Sequence, residues 1–286
     1  MKVLVTGSEG FLGRHVCAAL RRRAYMEVIG LDSAPGADIV ADITQGVPMV
    51  VGVDAIIHLA ALANPRECDS NPVRAFNVNV QGTHQVLRAA LTMGVKKVVF
   101  SSSAHVYDIP PKYLPTDECH PLRLNNTYTT TKLMGEQLCH LFYENHGLSY
   151  TTLRLYNAYG PGQALGYFVP DMITKAKTGL VVLEGHETTK DWIYVDDVAE
   201  AFCRAAESQF VGEINIGSGV ETQLGAIAGV IAQNMGAKFT CNAWPNPTRM
   251  CADWGRAKRI LGWEPTVDIW EGIRAVLAAE SQPVPA

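Results

Sequence analysis

Short apolar segments alternate with segments of helical periodicity through the first half of the chain. The apolar segments are candidate strands and span residues 2–6, 27–31, 55–59, 97–101 and 150–155. Helical spacing of apolar positions is found in residues 10–22, 73–93 and 128–146. Strands and helices in alternation are typical of a parallel sheet covered by helices on both faces. The sequence therefore predicts an α/β fold with a doubly wound parallel sheet.

Chain-breaking residues mark a change of pattern after Gly160. Pro161, Gly162, Gly166 and Pro170 interrupt the chain, and the later candidate strands are shorter and more widely separated. We expect residues 1–160 to form mainly the large α/β domain. Residues 161–286 are expected to form mainly a smaller C-terminal lobe, interleaved with elements that return to the first domain.

The composition excludes several classes of protein. The 286 residues carry a net charge of −4, which gives no attraction to nucleic acid or to an anionic membrane. No apolar run approaches the roughly 18 residues that span a bilayer. The seven cysteines are scattered, odd in number and without a CxxC pair, so they indicate free thiols in a reducing cytoplasm. We expect neither a disulfide framework nor a metal site.

A glycine-rich turn follows the first candidate strand and leads into the first helix. Gly7, Gly10 and Gly13 are spaced GxxGxxG, and Phe11 and Leu12 open the helix. Glycines at such a turn allow a close backbone approach to a pyrophosphate, which then faces the free N–H groups of the helix. A glycine triplet alone also fits an ordinary strand–turn–helix. Its position here favours the dinucleotide-binding turn of a Rossmann fold.

An acidic residue stands where a dinucleotide site requires one. Asp32 ends the second candidate strand, about 20 residues after the glycines, and a carboxylate there binds the adenosine ribose hydroxyls. It repels a 2′-phosphate, so we predict NAD rather than NADP, although Arg14 lies near enough to weaken that preference. Asp42 and Ile43 follow another short strand and are candidates for the adenine edge.

A tyrosine and a lysine four residues apart are the candidate catalytic pair. Tyr128 and Lys132 lie on one face of a predicted helix. A tyrosine acts as a base near neutral pH only if its pKa, normally about 10, is lowered. An ammonium and a positively charged nicotinamide ring both do this by stabilising the phenolate. The same pattern is common by chance on surface helices, so it gains weight only from its surroundings.

A serine-rich segment precedes this pair at the end of a candidate strand. Ser103 lies 25 residues before Tyr128, at the carboxyl edge of the sheet, where ligands bind in parallel sheets. Its hydroxyl can hold the substrate oxygen that the tyrosine deprotonates. Capping of the following turn is the alternative role, which we consider for Ser101 or Ser102.

The motifs, taken in order, resemble the extended short-chain dehydrogenase/reductase family, specifically the NAD-dependent epimerase/dehydratase group that acts on nucleotide sugars. The resemblance covers nearly the whole chain. It rests on residues 7–13, Asp32, 58–61, 77–83, 101–107, 128–132, 154–162, 191–198, 215–219 and 261–265. Each motif is common alone, but the ordered set is specific.

The resemblance implies a role for each matching residue around the cofactor. Tyr128 is the acid/base, Lys132 lowers its pKa and holds the nicotinamide ribose, and Ser103 positions the sugar hydroxyl. The segment expected to pass beside the cofactor is Leu59, Ala60 and Ala61. Asn79 matches an asparagine of the central helix and is expected at the cofactor, with a helix-packing amide as the alternative.

The resemblance also implies substrate contacts. Asn157 matches an asparagine near the substrate diphosphate, and Phe168 and Val169 match a loop that closes on the nucleotide base. His105 is close enough to Ser103 to line the sugar pocket, but it fits a structural, hydrogen-bonded role equally well.

Three departures from the family pattern bear on the reaction and on the nucleotide. Ala104 and His105 replace the acidic pair that dehydratases carry after the serine segment, so elimination of water is disfavoured. Lys190 stands where the family has an arginine that grips the diphosphate, and a lysine lacks the bidentate fork. Arg249 follows an unusual Trp-Pro-Asn-Pro-Thr segment but is still a candidate for the diphosphate.

These features together predict an NAD-dependent nucleotide-sugar epimerase, acting at C4 through a transient 4-keto sugar. A nucleotide-sugar 4-ketoreductase or dehydrogenase that consumes NADH or NADPH uses the same residues and is the alternative. A dinucleotide-sensing protein without activity is a second alternative, from another class. The helices predicted at residues 73–93 and 128–146 resemble the pair that forms a four-helix interface in the family, so we expect a homodimer.

Overall fold

The computed structural model describes residues 1–281. Its strands are β1 (Lys2–Thr6), β2 (Glu27–Asp32), β3 (Ile39–Val40), β4 (Ala55–His58), β5 (Lys97–Ser103), β6 (Ser149–Leu155), β7 (Asn157–Tyr159), β8 (Leu180–Glu184), β9 (Thr189–Tyr194), β10 (Gly212–Ile216), β11 (Glu221–Gln223) and β12 (Lys238–Asn242). Its α-helices are α1 (Phe11–Arg21), α2 (Pro65–Ser70), α3 (Pro72–Phe76), α4 (Gly82–Thr92), α5 (Thr127–His146), α6 (Phe168–Lys177), α7 (Val195–Glu207), α8 (Leu224–Asn234), α9 (Gly255–Leu261) and α10 (Ile269–Glu280).

A seven-stranded parallel sheet forms the larger part of the structure. Its strand order is β10-β6-β5-β4-β1-β2-β3, and every neighbouring pair is parallel. The order of the first six strands is that of a Rossmann fold, in which the order reverses between β1 and β4 and ligands bind above the carboxyl ends. The predicted doubly wound α/β fold is confirmed.

Helices bury an apolar core on each face of this sheet. On one face α1 and α7 pack against the strands around Val16, Leu20 and Phe202, all fully buried. On the other face α4 and α5 pack around Leu87 and Phe142. Each such side chain, when fully buried, stabilises the fold by roughly 1.5–3 kcal/mol. The sheet is therefore a rigid support for the residues at its carboxyl edge.

A second core lies in the C-terminal part of the chain. A three-stranded sheet (β11-β9-β7) and a two-stranded sheet (β12-β8) surround it. Helices α6, α8 and α10 contribute Ile173, Ile227 and Ile273 to this core, which also contains Tyr159 and Trp192. Helix α7 and strand β10, which follow β9, belong instead to the large sheet and its core.

The helix predicted at residues 73–93 is divided in the structure. Helices α3 and α4 are joined by a single π-helical turn at Asn77–Gln81. Such turns widen a helix locally and often occur at functional sites. Periodicity alone does not reveal this widening, because the apolar positions on either side keep helical spacing.

Phe168 and Val169 differ from their predicted setting. They form the first turn of helix α6 rather than a loop. Pro170 explains the difference, since a proline is tolerated in the first turn of a helix, where its missing N–H has no intrahelical partner. Within residues 1–281, no helix is long and apolar enough to cross a membrane.

Candidate active site

Strand β5 and helix α5 bring the predicted catalytic residues to the carboxyl edge of the sheet. Ser103 is the last residue of β5. Asn126 caps the start of α5 in a reciprocal capping box with Thr129, which fixes where the first turn begins and so places Tyr128 in it. The cap is worth about 1 kcal/mol. The three candidates Ser103, Tyr128 and Lys132 are thus gathered at one edge.

Lys132 is deeply buried between the helix and the strand. Its side chain donates from Nζ to the carbonyl of Ser101 at 2.8 Å, and the residue is 4 % exposed. Nζ also lies 5.9 Å from the centre of the Tyr128 ring. Burial lowers the pKa of Lys132 to about 8. No carboxylate of residues 1–281 forms an ion pair with this ammonium, so its charge is available to a phenolate.

Tyr128 and Ser103 face one another across the site. Burial raises the pKa of Tyr128, and the neighbouring Ser103 hydroxyl lowers it in part. The ring packs against Leu62, Cys68 and Ala75. A tyrosine in this setting is protonated until a positive charge comes close, so the base form depends on Lys132 and on a bound nicotinamide ring.

Ser103 has two roles in the structure. Its Oγ accepts the backbone N–H of His105 at 3.2 Å, which caps the short helical turn at Ala104–Val106. The predicted cap is therefore Ser103 itself, not Ser101 or Ser102. Because a hydroxyl that accepts one bond still has a proton to donate, Ser103 remains able to bind a substrate oxygen.

The glycine turn has the geometry that a dinucleotide pyrophosphate needs. A Cβ on Gly13 would lie 1.9 Å from the carbonyl oxygen of Gly7, and Gly7 itself has a φ of +75°. A Cβ on Gly7 would lie 2.6 Å from the amide nitrogen of Ala60. Gly10 caps α1 without any side-chain hydrogen bond, so the first amides of α1, at Phe11 and Leu12, face an uncovered turn. These residues fit an anionic cofactor.

The structure supports an acidic ribose site at the end of β2. The carboxylate of Asp32 accepts the amides of Glu9 and Ala34, both at 3.0 Å, which hold it beside the glycine turn. Arg14, the residue that weakened the NAD preference, donates to the carbonyls of Glu9 and Gly162 instead. The charged group at the end of β2 is therefore the carboxylate of Asp32 and not the guanidinium of Arg14.

Asp42 and Ile43, the adenine-edge candidates, are placed differently from each other. Asp42 is exposed and accepts the amide of Thr44 at 2.8 Å. Ile43 is 5 % exposed and packs under helix α4, where a Cβ on Gly82 would meet its Cδ1 at 2.6 Å. Only the backbone of Ile43 and the exposed Asp42 are therefore accessible to a ligand.

A chain of hydrogen bonds, each with an assigned donor and acceptor, supports the segment Leu59–Ala61 beside the glycine turn. Buried Thr83 donates to the carbonyl of Asn79 at 2.6 Å, so it accepts from Nε2–H of His58 at 3.0 Å. His58 is neutral, because burial lowers its pKa to about 3, and its Nδ1 accepts the Thr6 hydroxyl at 2.7 Å. Thr6 in turn accepts the Ala60 amide at 3.4 Å. One tautomer satisfies the whole chain.

Asn79 lies on the π-helical turn and is fully bonded to protein. Its Oδ1 accepts the amide of Leu62 at 2.7 Å, and its Nδ2 donates to the Leu62 carbonyl and to the Thr131 hydroxyl, both at 3.0 Å. Thr131 is adjacent to Lys132. These bonds support the helix-packing role, and they join the segment after β4 to the catalytic helix.

The predicted substrate residues lie on elements of the second core. Asn157 begins β7 and donates to the carbonyl of Asp191 at 2.9 Å. Phe168 is partly buried, with its ring 5.4 Å from that of Trp192, whereas Val169 is 1 % exposed and belongs to the core. Phe168 therefore has more accessible surface for a ligand than Val169.

Lys190 and His105 are half-buried, and the charge of Lys190 acts on His105. Lys190 contacts the sulfur of Met250 at 3.2 Å, and Met250 packs in one cluster with Ala104. Burial lowers the pKa of Lys190 to about 8. Burial and the charge of Lys190 lower the pKa of His105 to about 4, so its imidazole is neutral at pH 7. Neither side chain meets a carboxylate within residues 1–281.

Arg249 lies at the surface and is held by another residue. Its guanidinium forms a bidentate ion pair with Glu221, with a shortest distance of 2.8 Å, and its side chain is 62 % exposed. Contact with a diphosphate requires Arg249 to leave this pair. Lys190 is therefore the better-placed cation for an anionic substrate group.

The sequence interpretation gave no role to one buried ion pair in the site. Glu136 is 1 % exposed and forms two hydrogen bonds with the guanidinium of Arg154, at 3.0 and 2.7 Å. Two signals in the sequence point to it. Glu136 lies one helical turn after Lys132, and Arg154 is a lone charge near the end of an otherwise uncharged strand.

Comparison with known proteins agrees with this arrangement. A family model described as the NAD dependent epimerase/dehydratase family matches residues 3–217. A putative UDP-glucose 4-epimerase of Methanocaldococcus jannaschii is 31 % identical, over 96 % of this chain and 97 % of that protein. UDP-glucuronic acid decarboxylase 6 of Arabidopsis thaliana is 30 % identical, over 96 % of this chain and 87 % of that protein.

Among solved structures, MoeE5 in complex with UDP-glucose and NAD superposes with a TM-score of 0.89. Its sequence is 25 % identical to this one, and the superposition covers 98 % of each chain. The resemblance found in the motifs, the Rossmann fold and the enzymatic nature of the chain are confirmed. The match over most of the chain, with the glycine turn and the Tyr128–Lys132 pair in place, shows that this chain belongs to the NAD-dependent epimerase/dehydratase family.

Proposed function

We propose that this chain is a nucleotide-sugar epimerase that inverts C4 of the sugar through a transient 4-keto intermediate. The observation that carries the proposal is the convergence of Ser103, Tyr128 and Lys132 at the carboxyl edge of β5. A base, a hydroxyl donor and an unpaired ammonium are what the oxidation and reduction of a sugar hydroxyl require.

Each of the three side chains has a distinct task in this proposal. Tyr128 takes the proton of the 4-hydroxyl on its phenolic oxygen and later returns it. Ser103 donates to the same substrate oxygen and holds it in line with the tyrosine. Lys132 stabilises the phenolate and holds the nicotinamide ribose. NAD, when bound, supplies the hydride acceptor and donor for C4.

The cofactor is proposed to lie along the glycine turn. Gly7, Gly10 and Gly13 receive the pyrophosphate, with the amides of Phe11 and Leu12 as donors. Asp32 binds the adenosine ribose, Asp42 and the backbone of Ile43 border the adenine, and the segment Leu59, Ala60 and Ala61 passes beside the cofactor. Asn79 acts through the helix that carries Lys132.

The substrate is proposed to lie between the two cores. Lys190 provides a cation for the diphosphate, Asn157 lies near the diphosphate, and Phe168 borders the base. His105, as a neutral imidazole, lines the sugar pocket. Because Lys190 has no counterion among residues 1–281, an anionic ligand also relieves the cost of its burial.

The groups after Ser103 argue against elimination of water from the sugar. Removal of a proton from carbon requires a strong base beside the ring, and Ala104 offers none. His105 is a weak base, because its pKa is about 4. The nearby carboxylate of Asp191 is engaged by the amides of Ser218, Gly219 and Ala252.

A homodimer in the cytoplasm completes the proposal. Met134, Leu141 and Tyr143 of α5 and Val73 and Phe76 of α3 are all exposed apolar side chains. An apolar surface on these helices suits a second copy. We expect a dimeric mass by light scattering at micromolar concentration, and a monomeric mass for Leu141→Glu. A monomeric wild-type protein would contradict this part.

The experiment is to incubate the purified protein with UDP-, dTDP-, GDP- and CDP-hexoses without added reductant and to analyse products by NMR. We expect one sugar to be converted to its C4 epimer with no net change in NAD. Turnover only of a 4-keto sugar, with consumption of NADH or NADPH, would show the ketoreductase instead. A parallel incubation with UDP-glucuronic acid tests for a decarboxylase, which release of carbon dioxide would show.

A further inference from the structure

The ion pair of Glu136 and Arg154 is the centre of a buried network behind the catalytic residues. Besides Glu136, Arg154 contacts the hydroxyl of Tyr107 at 3.1 Å. Tyr107 donates to Oδ1 of Asn215 on β10 at 2.6 Å. The network therefore crosses α5, β6 and β10, and each side chain in it is at least nine-tenths buried.

Glu136 is joined directly to the catalytic strand. Ser102 donates to Oε1 of Glu136 at 2.6 Å. Ser101, the preceding residue of β5, accepts Nζ of Lys132 through its carbonyl at 2.8 Å. Two successive residues of β5 are thus bound by side chains one turn apart on α5, and the next residue of the strand is Ser103. The spacing of Ser103 and Tyr128 depends on these two bonds.

Glu136 is the carboxylate among the titratable groups that face Lys132. His58 faces it from β4 and is neutral, and Cys68 faces it from α2 as a thiol whose pKa is raised by burial. Tyr128 and Glu136 face it from α5. Burial lowers the pKa of Lys132, and Cys68 and, after it, Glu136 raise that pKa. Side chains at this spacing on a helix have Cβ atoms about 5–6 Å apart.

We propose that Glu136 is a positioning residue for the catalytic pair: it joins β5 to α5 beside Ser103, and its negative charge stabilises the ammonium of Lys132. Arg154 orients the carboxylate through its two hydrogen bonds. The inference rests on the proposed roles of Ser103, Tyr128 and Lys132, and goes beyond them by adding a third charged group that touches neither substrate nor cofactor.

Removal of the Glu136 charge changes Lys132 in a way that a change of packing alone does not. Loss of a nearby negative charge lowers the pKa of a lysine, so in Glu136→Gln the Lys132 ammonium loses its proton at lower pH. At the effective dielectric of a protein, a unit charge one helical turn away moves such a pKa by on the order of one unit. Glu136→Asp keeps the charge and leaves the pKa near its original value.

The experiment measures NAD affinity by calorimetry between pH 6.5 and 10 (a range chosen to bracket Lys132's ionisation, about pH 8). The variants are Glu136→Gln, Glu136→Asp and Glu144→Gln. Glu144 is an exposed acid on the same helix and serves as the control for a general change of charge. Thermal unfolding shows that each variant is folded.

We expect the wild-type affinity for NAD to fall as the pH rises through about 8, where Lys132 loses its proton. In Glu136→Gln the midpoint moves down by about one pH unit, whereas Glu136→Asp and Glu144→Gln keep the wild-type midpoint. An unmoved midpoint in Glu136→Gln, or a midpoint in Glu136→Asp as low as in Glu136→Gln, would overturn the proposal.

A double variant and a readout that does not depend on the sugar complete the experiment. If Glu136→Gln does not fold, Glu136→Gln/Arg154→Met removes both buried charges together and is measured in its place; a smaller downward shift is then expected, because the lost positive charge offsets part of the effect. The binding measurement does not depend on which sugar is the substrate. A shifted midpoint in a protein that epimerises no sugar would therefore refute the proposed function and leave this inference standing.

Discussion

The proposed cofactor side and the proposed substrate side of the site are held in different ways. On the cofactor side, His58, Asn79 and Lys132 are buried and bonded to defined protein partners. On the substrate side, Lys190 and His105 are half-buried and meet only sulfur or nothing within the described chain. The difference indicates where the protein fixes geometry in advance and where the ligand completes it.

This contrast suits a reaction that oxidises and reduces one carbon from two faces. The catalytic groups must keep one geometry, because a small misplacement of a base costs orders of magnitude in rate. In the proposed epimerisation the sugar presents its other face between the two steps, so the residues around it benefit from fewer fixed contacts. The same contrast predicts which substitutions affect the chemical step and which affect substrate binding.

The largest expected effect comes from the tyrosine. Tyr128→Phe removes the acid/base and keeps the ring, so we expect turnover to fall by about a thousandfold with NAD affinity nearly unchanged. Initial rates and NAD binding are measured side by side. Tyr150→Phe serves as the control, because it removes the hydroxyl of a buried tyrosine near the amino end of β6, away from the carboxyl edge of the sheet. Turnover of Tyr128→Phe within tenfold of wild type would refute the role of the tyrosine.

The second effect concerns the lysine. Lys132→Met removes the charge that stabilises the phenolate, and we expect turnover to fall by about a hundredfold together with weaker NAD binding. Lys97 provides a matched control, because it is also a buried lysine whose pKa is lowered to about 8, but it lies at the amino end of β5 and donates to the carbonyl of Phe210. Equal losses in Lys97→Met and Lys132→Met would mean that burial of a lysine, not the site, matters.

A third prediction tests the acidic ribose site. Asp32→Ala removes the carboxylate that repels a 2′-phosphate, so the preference for NAD over NADP is expected to fall by roughly tenfold to a hundredfold. Dissociation constants for both cofactors give the ratio. Asp54→Asn is the control, since Asp54 also accepts a backbone amide, that of Lys2, but at the opposite edge of the sheet. An unchanged ratio in Asp32→Ala would place the discrimination elsewhere.

The smallest effects are expected on the substrate side. Lys190→Met removes the unpaired cation, and we expect KM for the nucleotide sugar to rise by about tenfold with kcat changed little. Arg249→Met is the comparison, because Arg249 is exposed and paired with Glu221, and we expect a change of about twofold or less. A larger effect for Arg249 than for Lys190 would reverse the assignment of the diphosphate contact.

The sequence predicted the fold and the catalytic edge because both follow from local patterns. Apolar runs identify parallel strands, and the GxxGxxG turn, Asp32, Ser103 and Tyr128–Lys132 each lie within or beside one element. The Glu136–Arg154 pair could not be found in this way, since its partners are 18 residues apart on different elements and meet only in the folded chain. The π-helical turn that carries Asn79 was missed because it leaves the apolar spacing intact.

The most direct test of the central claim follows an isotope at C4. The nucleotide sugar that the protein converts is prepared with deuterium at C4, and its epimer is analysed by NMR after reaction in ordinary water. The account predicts that the deuterium remains at C4 of the product, because the hydrogen leaves and returns as hydride without exchange with solvent. Loss of the label to solvent would show that C4 gives up a proton rather than a hydride and would contradict the account.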